Sequence, residues 1–172
     1  LDIISNNYSV DNLILLPNLL NSLNNTLKVF SWLSHRLETI WINNWITFID
    51  DGISTTPEST IEAINTFWEQ VNTIFLGGGD YGFTKESYKL LIDKLIEHKV
   101  KNIVLFPDTW LDIFNTDRLS KKSWDVFSVK YELFEFNILY SDNMKSAVKF
   151  SYKHTWLNNI CLMSCAAPSY SL

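Results

Sequence analysis

The fold of this chain is decided by one stretch that passes from an apolar run through a polar turn into a helix: Phe48-Ile49-Asp50-Asp51-Gly52-Ile53-Ser54-Thr55-Thr56-Pro57-Glu58-Ser59-Thr60. Thr56 is a suitable N-cap, because its hydroxyl can accept a hydrogen bond from an unpaired amide of the first turn. Pro57 suits the first helical position, where its missing N–H costs nothing. A strand, a polar turn and a helix N-terminus can together bind anions and nucleotides. The same pattern also describes a capped connection without a ligand, so both interpretations stay open here.

The residues just before this turn predict a β-hairpin. Two short β-rich runs, Thr39 to Asn43 and Trp45 to Asp50, meet around Asn43-Asn44. His35-Arg36 precedes the hairpin and is compatible with a solvated loop. Arg36 is also a residue type that stacks on bases and pairs with phosphate or ribose oxygens. Spacing alone does not choose between these two roles.

The N-terminal part of the chain is rich in leucine at helical spacing. These leucines predict one amphipathic helix, broken or kinked near Pro17: Leu13, Leu16, Leu19, Leu20, Leu23 and Leu27.

Downstream of the opening stretch, strands and helices alternate along the chain. The pattern predicts strands at Val71–Leu76, Lys101–Phe106, Tyr131–Leu139 and Asn159–Ser164, and helices at Glu58–Gln70, Lys85–His98, Thr109–Asn115 and Asn143–His154, with Thr84 and Asp142 as caps and helix or loop over 116–130. Strands separated by helices of this length indicate right-handed crossovers. We therefore expect an α/β fold: a Rossmann-like, mostly parallel sheet with helices on both faces and an N-terminal β-hairpin.

Polar or glycine-rich segments follow four of the predicted strands. These segments are Asp50-Asp51, the turn Gly77–Gly82, Pro107-Asp108 and Cys165–Ser169. In an open parallel sheet, ligands bind outside the carboxyl ends of the strands. The topology therefore predicts that the four segments gather at one edge. The glycine turn alone is weak support, since a tight turn with no ligand would look the same.

Composition excludes several classes of function. A net charge of −5 over 172 residues, without a basic stripe, argues against a nucleic-acid-binding protein. The apolar runs are too short and too interrupted to predict a membrane span or a signal peptide. The cysteines Cys161 and Cys165 are expected to be reduced and buried. The three histidines lack the spacing of a zinc site, and no metal is assigned to this chain.

Four motifs in order resemble one family, the C-terminal domain of the Mur ligases, and within it the branch that adds D-glutamate. The motifs are His35-Arg36-Leu37-Glu38, the turn Asp50 to Thr60, Gly77-Gly78-Gly79-Asp80-Tyr81-Gly82, and Leu162-Met163-Ser164-Cys165-Ala166-Ala167-Pro168-Ser169. The resemblance implies that residues 35–172 are this domain, ending before the family's last segment. It implies that residues 1–34 are the tail of a central ATPase domain and its linker.

The resemblance also implies a function. The family forms amide bonds with ATP: a substrate carboxylate is phosphorylated, and the acyl phosphate is attacked by the amino group of D-glutamate. The substrate whose carboxylate is phosphorylated would be UDP-N-acetylmuramoyl-L-alanine, a peptidoglycan precursor. The protein would be cytoplasmic and monomeric. ATP and Mg²⁺ would be bound mainly by the central domain. This fragment would hold no catalytic residue and would be inactive alone.

The resemblance assigns binding roles residue by residue. His35, Arg36 and Asp51 would contact the nucleotide, with Asp51 at or near the ribose, while Thr55, Tyr81 and Ser169 would hold the amino acid, near backbone amides of the glycine turn.

Two positions depart from the family pattern. Tyr81 stands where the family usually has lysine or arginine, and Gly52 stands where it usually has serine. Losing a charge-assisted contact to the amino acid would weaken its binding by about 1.5–3 kcal/mol. A degenerate, non-catalytic binding module of the same fold is therefore an alternative, and an unrelated Rossmann-like nucleotide binder is a third.

Overall fold

The structure is a computed structural model that describes residues 19–26, 33–79, 82–108, 114 and 126–168. The chain divides into two units between Leu33 and Ser34. In the first unit, helix α1 covers residues 19–26 and exposes Leu19, Leu20 and Leu23. The remainder of the helix predicted over 13–27, with its break at Pro17, lies outside the described residues.

The second unit is built on a seven-stranded sheet. Its strands are β1 (Glu38–Asn43), β2 (Ile46–Asp50), β3 (Val71–Gly78), β4 (Asn102–Asp108), β5 (Val126–Tyr131), β6 (Phe134–Tyr140) and β7 (Ile160–Met163). The spatial order is β1-β2-β7-β3-β4-β6-β5. The five central strands pair in parallel, and only the outer strands β1 and β5 run antiparallel to their neighbours. The predicted mostly parallel sheet is therefore confirmed.

Helices cover both faces of this sheet. They are α2 (Pro57–Phe67), α3 (Lys85–Glu97) and α4 (Met144–His154), and a 3₁₀ turn (Trp68–Gln70) follows α2. Neighbouring strand residues point to opposite faces, and they sort into two cores. Ile49 and Ile74 belong to the core shared with α2 and α3, whereas Phe48 and Phe75 belong to the core that contains Ala147 and Phe150 of α4. No helix among the described residues has the length and apolar character needed to cross a membrane.

The helix N-termini test the predicted caps. Thr56 accepts a hydrogen bond from the amide of Ser59 and Thr84 accepts one from Ser87, as predicted. The prediction of Asp142 as the cap of α4 is wrong. The cap is Asn143, whose Oδ1 accepts the amide of Ser146 at 3.0 Å. Asp142 stands one position before this cap.

The far edge of the sheet also differs from the prediction. Residues 126–130 were expected to be helix or loop, but they belong to β5, which pairs with β6. The single strand predicted over Tyr131–Leu139 is in fact the end of β5, a turn and then β6. Glu132 in the turn has φ of 54°, a left-handed conformation that favours tight reversal. The predicted helix Thr109–Asn115 and residues 116–125 lie outside the described residues, except for the buried Phe114.

The predicted N-terminal hairpin is present, with its turn one residue later. The turn is Asn44-Trp45, with φ of 51° and 61°. Positive φ at both positions is typical of two-residue hairpin turns, whose twist matches that of the strands. The hairpin places the segment before β1 beside the end of β2, and the candidate site lies there.

Candidate functional site

Loops that follow three neighbouring strands are joined by backbone hydrogen bonds at the carboxyl edge of the sheet. The amide of Asp51 donates to Met163 O at 2.8 Å, and that of Ala166 donates to Ser54 O at 3.1 Å. Gly77 N donates to Cys165 O and Gly79 N to Pro168 O, both at 2.9 Å. These bonds connect β2 to β7 and β7 to β3. The sequence prediction that these segments meet at one edge is therefore confirmed for their described residues.

The glycine turn is required by close packing between strand ends. A Cβ at Gly77 would lie 2.6 Å from Phe106 O, and one at Gly78 would lie 2.3 Å from Pro168 O. Only glycine allows the backbones to approach this closely. The resemblance implies that amides of this turn lie near the amino acid. The amides of Gly77 and Gly79 already donate to carbonyls of the chain, so these two are not available to bind it.

The next strand extends further than predicted. Pro107 and Asp108 were expected to close it, but β4 continues through Asp108, whose Cα pairs with that of Gly78. These two residues therefore belong to the sheet next to the glycine turn.

The segment before β1 is a turn held by several tethers. The amide of His35 donates to Glu38 Oε2 at 3.1 Å, and Ile53 N donates to His35 O at 3.4 Å. His35 Nδ1 lies 2.7 Å from Asp50 Oδ2. His35 and Leu37 have φ of 63° and 47°, which is uncommon for residues other than glycine and persists only where the surroundings impose it.

Asp50 favours the protonated form of the His35 ring. The hydrogen bond to Asp50 raises the pKa of His35 above its ordinary value of 6.5, and the negative charges of Asp50 and Glu38 act in the same direction. Asp50 Oδ1 also accepts the amide of Gly52 at 2.9 Å, and a Cβ at Gly52 would lie 3.1 Å from that oxygen. Glycine in place of the family's serine thus leaves room for the Asp50 carboxylate.

Asp51 lies inside the protein, with only 2% of its surface exposed. Its Oδ1 accepts the amide of Leu37 at 3.3 Å, and its Oδ2 accepts the hydroxyl of Ser164 at 2.7 Å. Ser164 Oγ lies 2.9 Å from Thr60 Oγ1. A buried carboxylate is stable when its oxygens accept hydrogen bonds in this way.

Cys161 lies in β7 and Cys165 in the loop that follows it, and both are free, as predicted. Burial raises the pKa of Cys161 to about 12. Burial and the charges of Asp50 and Asp51 raise the pKa of Cys165 to about 11. Cys161 is buried, whereas Cys165 is half-buried rather than fully buried as expected. Both thiols remain protonated at neutral pH and are poor nucleophiles.

No family profile matches the chain. Over 151 residues the chain is 28% identical to the UDP-N-acetylmuramoylalanine–D-glutamate ligase of Natranaerobius thermophilus, a match that covers 88% of this chain and 29% of that protein. Over 142 residues it is 30% identical to the UDP-N-acetylmuramoyl-L-alanine–L-glutamate ligase of Salinispora tropica, covering 82% of this chain and 28% of that protein. Over more than four fifths of its own length, the chain is therefore similar to part of the Mur ligases. It spans less than a third of the length of these relatives.

A solved Mur ligase shares the fold. The MurF ligase of Thermotoga maritima, crystallised in complex with ADP, superposes with a TM-score of 0.53 at 15% identity. The match covers 86% of this chain and 32% of that chain. The likeness shows that the two chains share a fold.

The residues assigned from the Mur ligase resemblance fall into three groups. Arg36 is exposed and Thr55 is half-buried, and neither side chain has a hydrogen bond or ion pair with another described residue. His35 and Asp51 are engaged by the chain itself, as given above. Tyr81 and Ser169 lie outside the described residues, so their roles stay predictions.

Two contributors to the site, Thr60 and Ser164, were given no role of their own from the sequence, and Asp50 was predicted only as part of the polar segment Asp50-Asp51. Ser164 lies within a family motif and Thr60 lies on the inner side of α2, but no sequence pattern shows that the two hydroxyls meet at Asp51. Within the described ranges, no group of three or more His, Cys, Asp or Glu side chains could hold a metal ion.

Proposed function

We propose that residues 35–172 form the C-terminal domain of an ATP-dependent ligase that adds D-glutamate to UDP-N-acetylmuramoyl-L-alanine in peptidoglycan precursor synthesis. The observation that carries the proposal is the match of a ligase of that name to 88% of this chain. It is supported by the joining of the His-Arg segment, the Asp-Asp turn and the last loop by hydrogen bonds at one sheet edge.

In this proposal the domain binds and orients substrates. Arg36 is an exposed cation at this edge, and its planar guanidinium suits phosphate oxygens of a nucleotide. Thr55, Tyr81 and Ser169 are assigned to the amino acid, because their hydroxyls can donate to its carboxylates. ATP supplies the activation, by converting the substrate carboxylate to an acyl phosphate. The chain's contribution is positioning and charge stabilisation.

The remaining parts of the enzyme are assigned elsewhere. A central domain, whose tail would include residues 1–34, is proposed to bind most of the ATP and the Mg²⁺. The described residues of this chain hold no site for that metal, so no step is assigned to it here. We propose a cytoplasmic, monomeric protein in which the isolated domain has no activity.

A second candidate is the same reaction with L-glutamate. It is favoured by the Salinispora tropica relative, whose name specifies L-glutamate and which is 30% identical to this chain. The two stereoisomers differ in where the α-carboxylate and amino group point from the α-carbon. The residues that would read this difference include Tyr81 and Ser169.

The proposal is tested by phosphate release in the full-length protein. ATP, Mg²⁺ and UDP-N-acetylmuramoyl-L-alanine are supplied, and D-glutamate or L-glutamate is added. We expect phosphate release that depends on D-glutamate and exceeds release with L-glutamate. Preference for L-glutamate would establish the second candidate. Binding of ATP and the nucleotide sugar without release on either amino acid would refute the enzymatic assignment and support the non-catalytic module.

Tyr81→Lys sharpens the result. If the tyrosine only weakens glutamate binding, lysine should lower the KM for glutamate by about tenfold, since a charge-assisted hydrogen bond is worth about 1.5 kcal/mol or more. Tyr81→Phe is the matched control, because it removes the hydroxyl without adding a charge. Equal KM values in the three proteins would show that Tyr81 does not contact the amino acid.

A further inference from the structure

The buried carboxylate of Asp51 is unusual for a residue expected to touch a ligand. A direct contact to a ribose needs an exposed oxygen, but Asp51 is 2% exposed. Both of its oxygens already accept hydrogen bonds, one from the amide of Leu37 and one from the hydroxyl of Ser164. The carboxylate therefore joins the segment before β1 to the end of β7.

The hydroxyls behind Asp51 have a defined order of donation. An ionised carboxylate only accepts, so the proton of Ser164 Oγ points to Asp51 Oδ2 at 2.7 Å. Thr60 Oγ1 then donates to Ser164 Oγ at 2.9 Å or to Ser164 O at 3.3 Å, and either bond holds Ser164. Ser164 and Thr60 are 0% exposed, so water cannot replace either bond. The chain of donors fixes the orientation of the Asp51 carboxylate.

The other end of this network is the turn that carries Arg36. Arg36 lies between His35 and Leu37, whose left-handed φ values must be imposed by their surroundings. Asp51 holds the amide of Leu37 on one side of Arg36, and Asp50 holds the ring of His35 on the other. The side chain of Arg36 itself is exposed. The backbone from which this side chain projects is therefore held by groups that do not bond to the side chain itself.

We propose that Asp51 is a positioning residue that fixes the turn carrying Arg36, that Ser164 orients Asp51 for this role, and that neither residue contacts the nucleotide. The proposal rests on the proposed function only in naming the nucleotide as the ligand of Arg36. The clamp between Leu37, Asp51 and Ser164 is a statement about the chain itself and is tested without ligand.

The first experiment measures amide hydrogen exchange at Leu37 by NMR in the 172-residue chain, with no nucleotide present. Asp51→Asn and Ser164→Ala should each raise exchange at Leu37 by about tenfold, which corresponds to the loss of one ordinary hydrogen bond. Ser151→Ala is the matched control for Ser164→Ala, because Ser151 is also 0% exposed but donates to Ala147 O within α4. Unchanged exchange at Leu37 in both Asp51→Asn and Ser164→Ala would overturn the proposal.

The second experiment separates positioning from direct contact by a double-mutant cycle with ADP as the probe. If Asp51 acts through Arg36, Asp51→Asn should lower ADP affinity about tenfold alone and less than about twofold in an Arg36→Ala background. Ser164→Ala should show the same dependence on Arg36. Additive losses would mean that Asp51 meets the nucleotide directly, and would overturn the proposal.

Failure of the proposed function gives a different pattern. If the unmodified chain shows no ADP-dependent change at Arg36, the assignment of Arg36 to the nucleotide loses its support, whereas exchange at Leu37 still decides whether Asp51 holds the turn. Asp51→Asn replaces a buried carboxylate and can unfold the chain. In that case Ser164→Ala carries the test, because it keeps the buried carboxylate and removes only the donor that orients it.

Discussion

The parallel strands hold buried polar groups at both of their ends, the amino-terminal edge and the carboxyl edge of the sheet, but the two edges are built differently. At the amino-terminal side, asparagines on adjacent strands bond through their side chains: Asn102 Nδ2 donates to Asn72 Oδ1 at 3.0 Å, and Asn137 Nδ2 donates to Asn102 Oδ1 at 3.1 Å. Helix α4 closes this ladder, because Asn102 Nδ2 also donates to His154 O at 2.9 Å. At the carboxyl edge, the bonds between loops are mainly from backbone to backbone.

The difference between the edges lies in what remains exposed. In the asparagine ladder the side chains donate hydrogen bonds to one another, and these bonds connect β3, β4 and β6. The carboxyl edge uses carboxylates and backbone groups to hold a turn, and it leaves Arg36 exposed. A buried polar network is thus no sign of a binding site by itself. An exposed functional group on a backbone held in an uncommon conformation is the more specific sign.

The largest effect is expected from breaking the carboxyl edge at Gly78. In Gly78→Ala the new Cβ would lie 2.3 Å from Pro168 O, so the bond between Gly79 and Pro168 must break or the strands must separate. Overpacking of this kind costs about 3 kcal/mol. Urea unfolding of the 172-residue chain should report this loss.

The matched control for that change is Gly82→Ala. Gly82 has φ of +72°, but a Cβ there would have no neighbour within 4 Å. Only the left-handed backbone then opposes the substitution, at about 1 kcal/mol. Equal losses at both positions would show that backbone conformation, rather than contact between the loops, requires glycine at this edge.

A smaller effect is expected from breaking the amino-terminal edge at Asn102. Asn102→Ala removes the middle of the ladder. His154 O then loses its donor and the side-chain Nδ2 of Asn137 loses its acceptor. Buried polar groups that lose a partner cost about 2 kcal/mol. The free energy of unfolding should fall by that amount, while ADP-dependent changes at Arg36 should be preserved, because the two edges are separate networks.

Asn159→Ala is the comparison for this second variant. The side chain of Asn159 makes only a solvent-exposed hydrogen bond of 3.5 Å to Leu157 O, and its loss should cost less than about 0.5 kcal/mol. If Asn102→Ala cost no more than Asn159→Ala, the ladder would not stabilise the sheet. If it abolished the response of Arg36 to ADP, the two edges would be coupled.

The main parts of the fold were predictable because each rests on a local signal. Thr56 and Thr84 directly precede helices, and the position of a threonine just before a helical pattern is itself the signal for an N-cap. The order of strands and helices predicted the parallel sheet, and the parallel sheet predicted that the polar loops meet. Strand β5 was missed although its half-buried residues alternate with the exposed Val126, Ser128 and Lys130. The turn Glu132-Leu133 that ends it contains no glycine, proline or asparagine, so nothing in the sequence marks the boundary between β5 and β6.

The location of the site was predictable from the sequence, but the hydrogen bonds between its residues were not. The resemblance assigned Asp51 to the ligand, and nothing in the sequence indicates that its carboxylate is buried. The buried carboxylate of Asp51 accepts a hydrogen bond from Ser164, which is 113 residues away in the chain. The asparagine ladder has the same property, since Asn72, Asn102 and Asn137 come together only through strand order. Contacts that depend on register between distant strands have no local signature.

The smallest expected effect compares one histidine from each edge. The pKa of His35 is raised by its hydrogen bond to Asp50, whereas the pKa of His154 is lowered, mainly by burial and further by the charge of Lys153. NMR titration of the ring protons should therefore place His35 above 6.5 and His154 below it. Asp50→Asn should lower the midpoint of His35 and leave that of His154 unchanged.

The two shifts act on stability with opposite signs. Folding favours the protonated form of His35, so its contribution is full below the ordinary pKa and is lost as the pH rises through the raised value. Folding disfavours protonation of His154, so its contribution is present above the ordinary pKa and is lost as the pH falls toward the lowered value. Unfolding midpoints of the unmodified chain and Asp50→Asn should therefore converge as the pH rises above the His35 midpoint. If Asp50→Asn left the His35 midpoint in place, the 2.7 Å pair would not hold the turn in solution, and Asp51 would be the main anchor of Arg36.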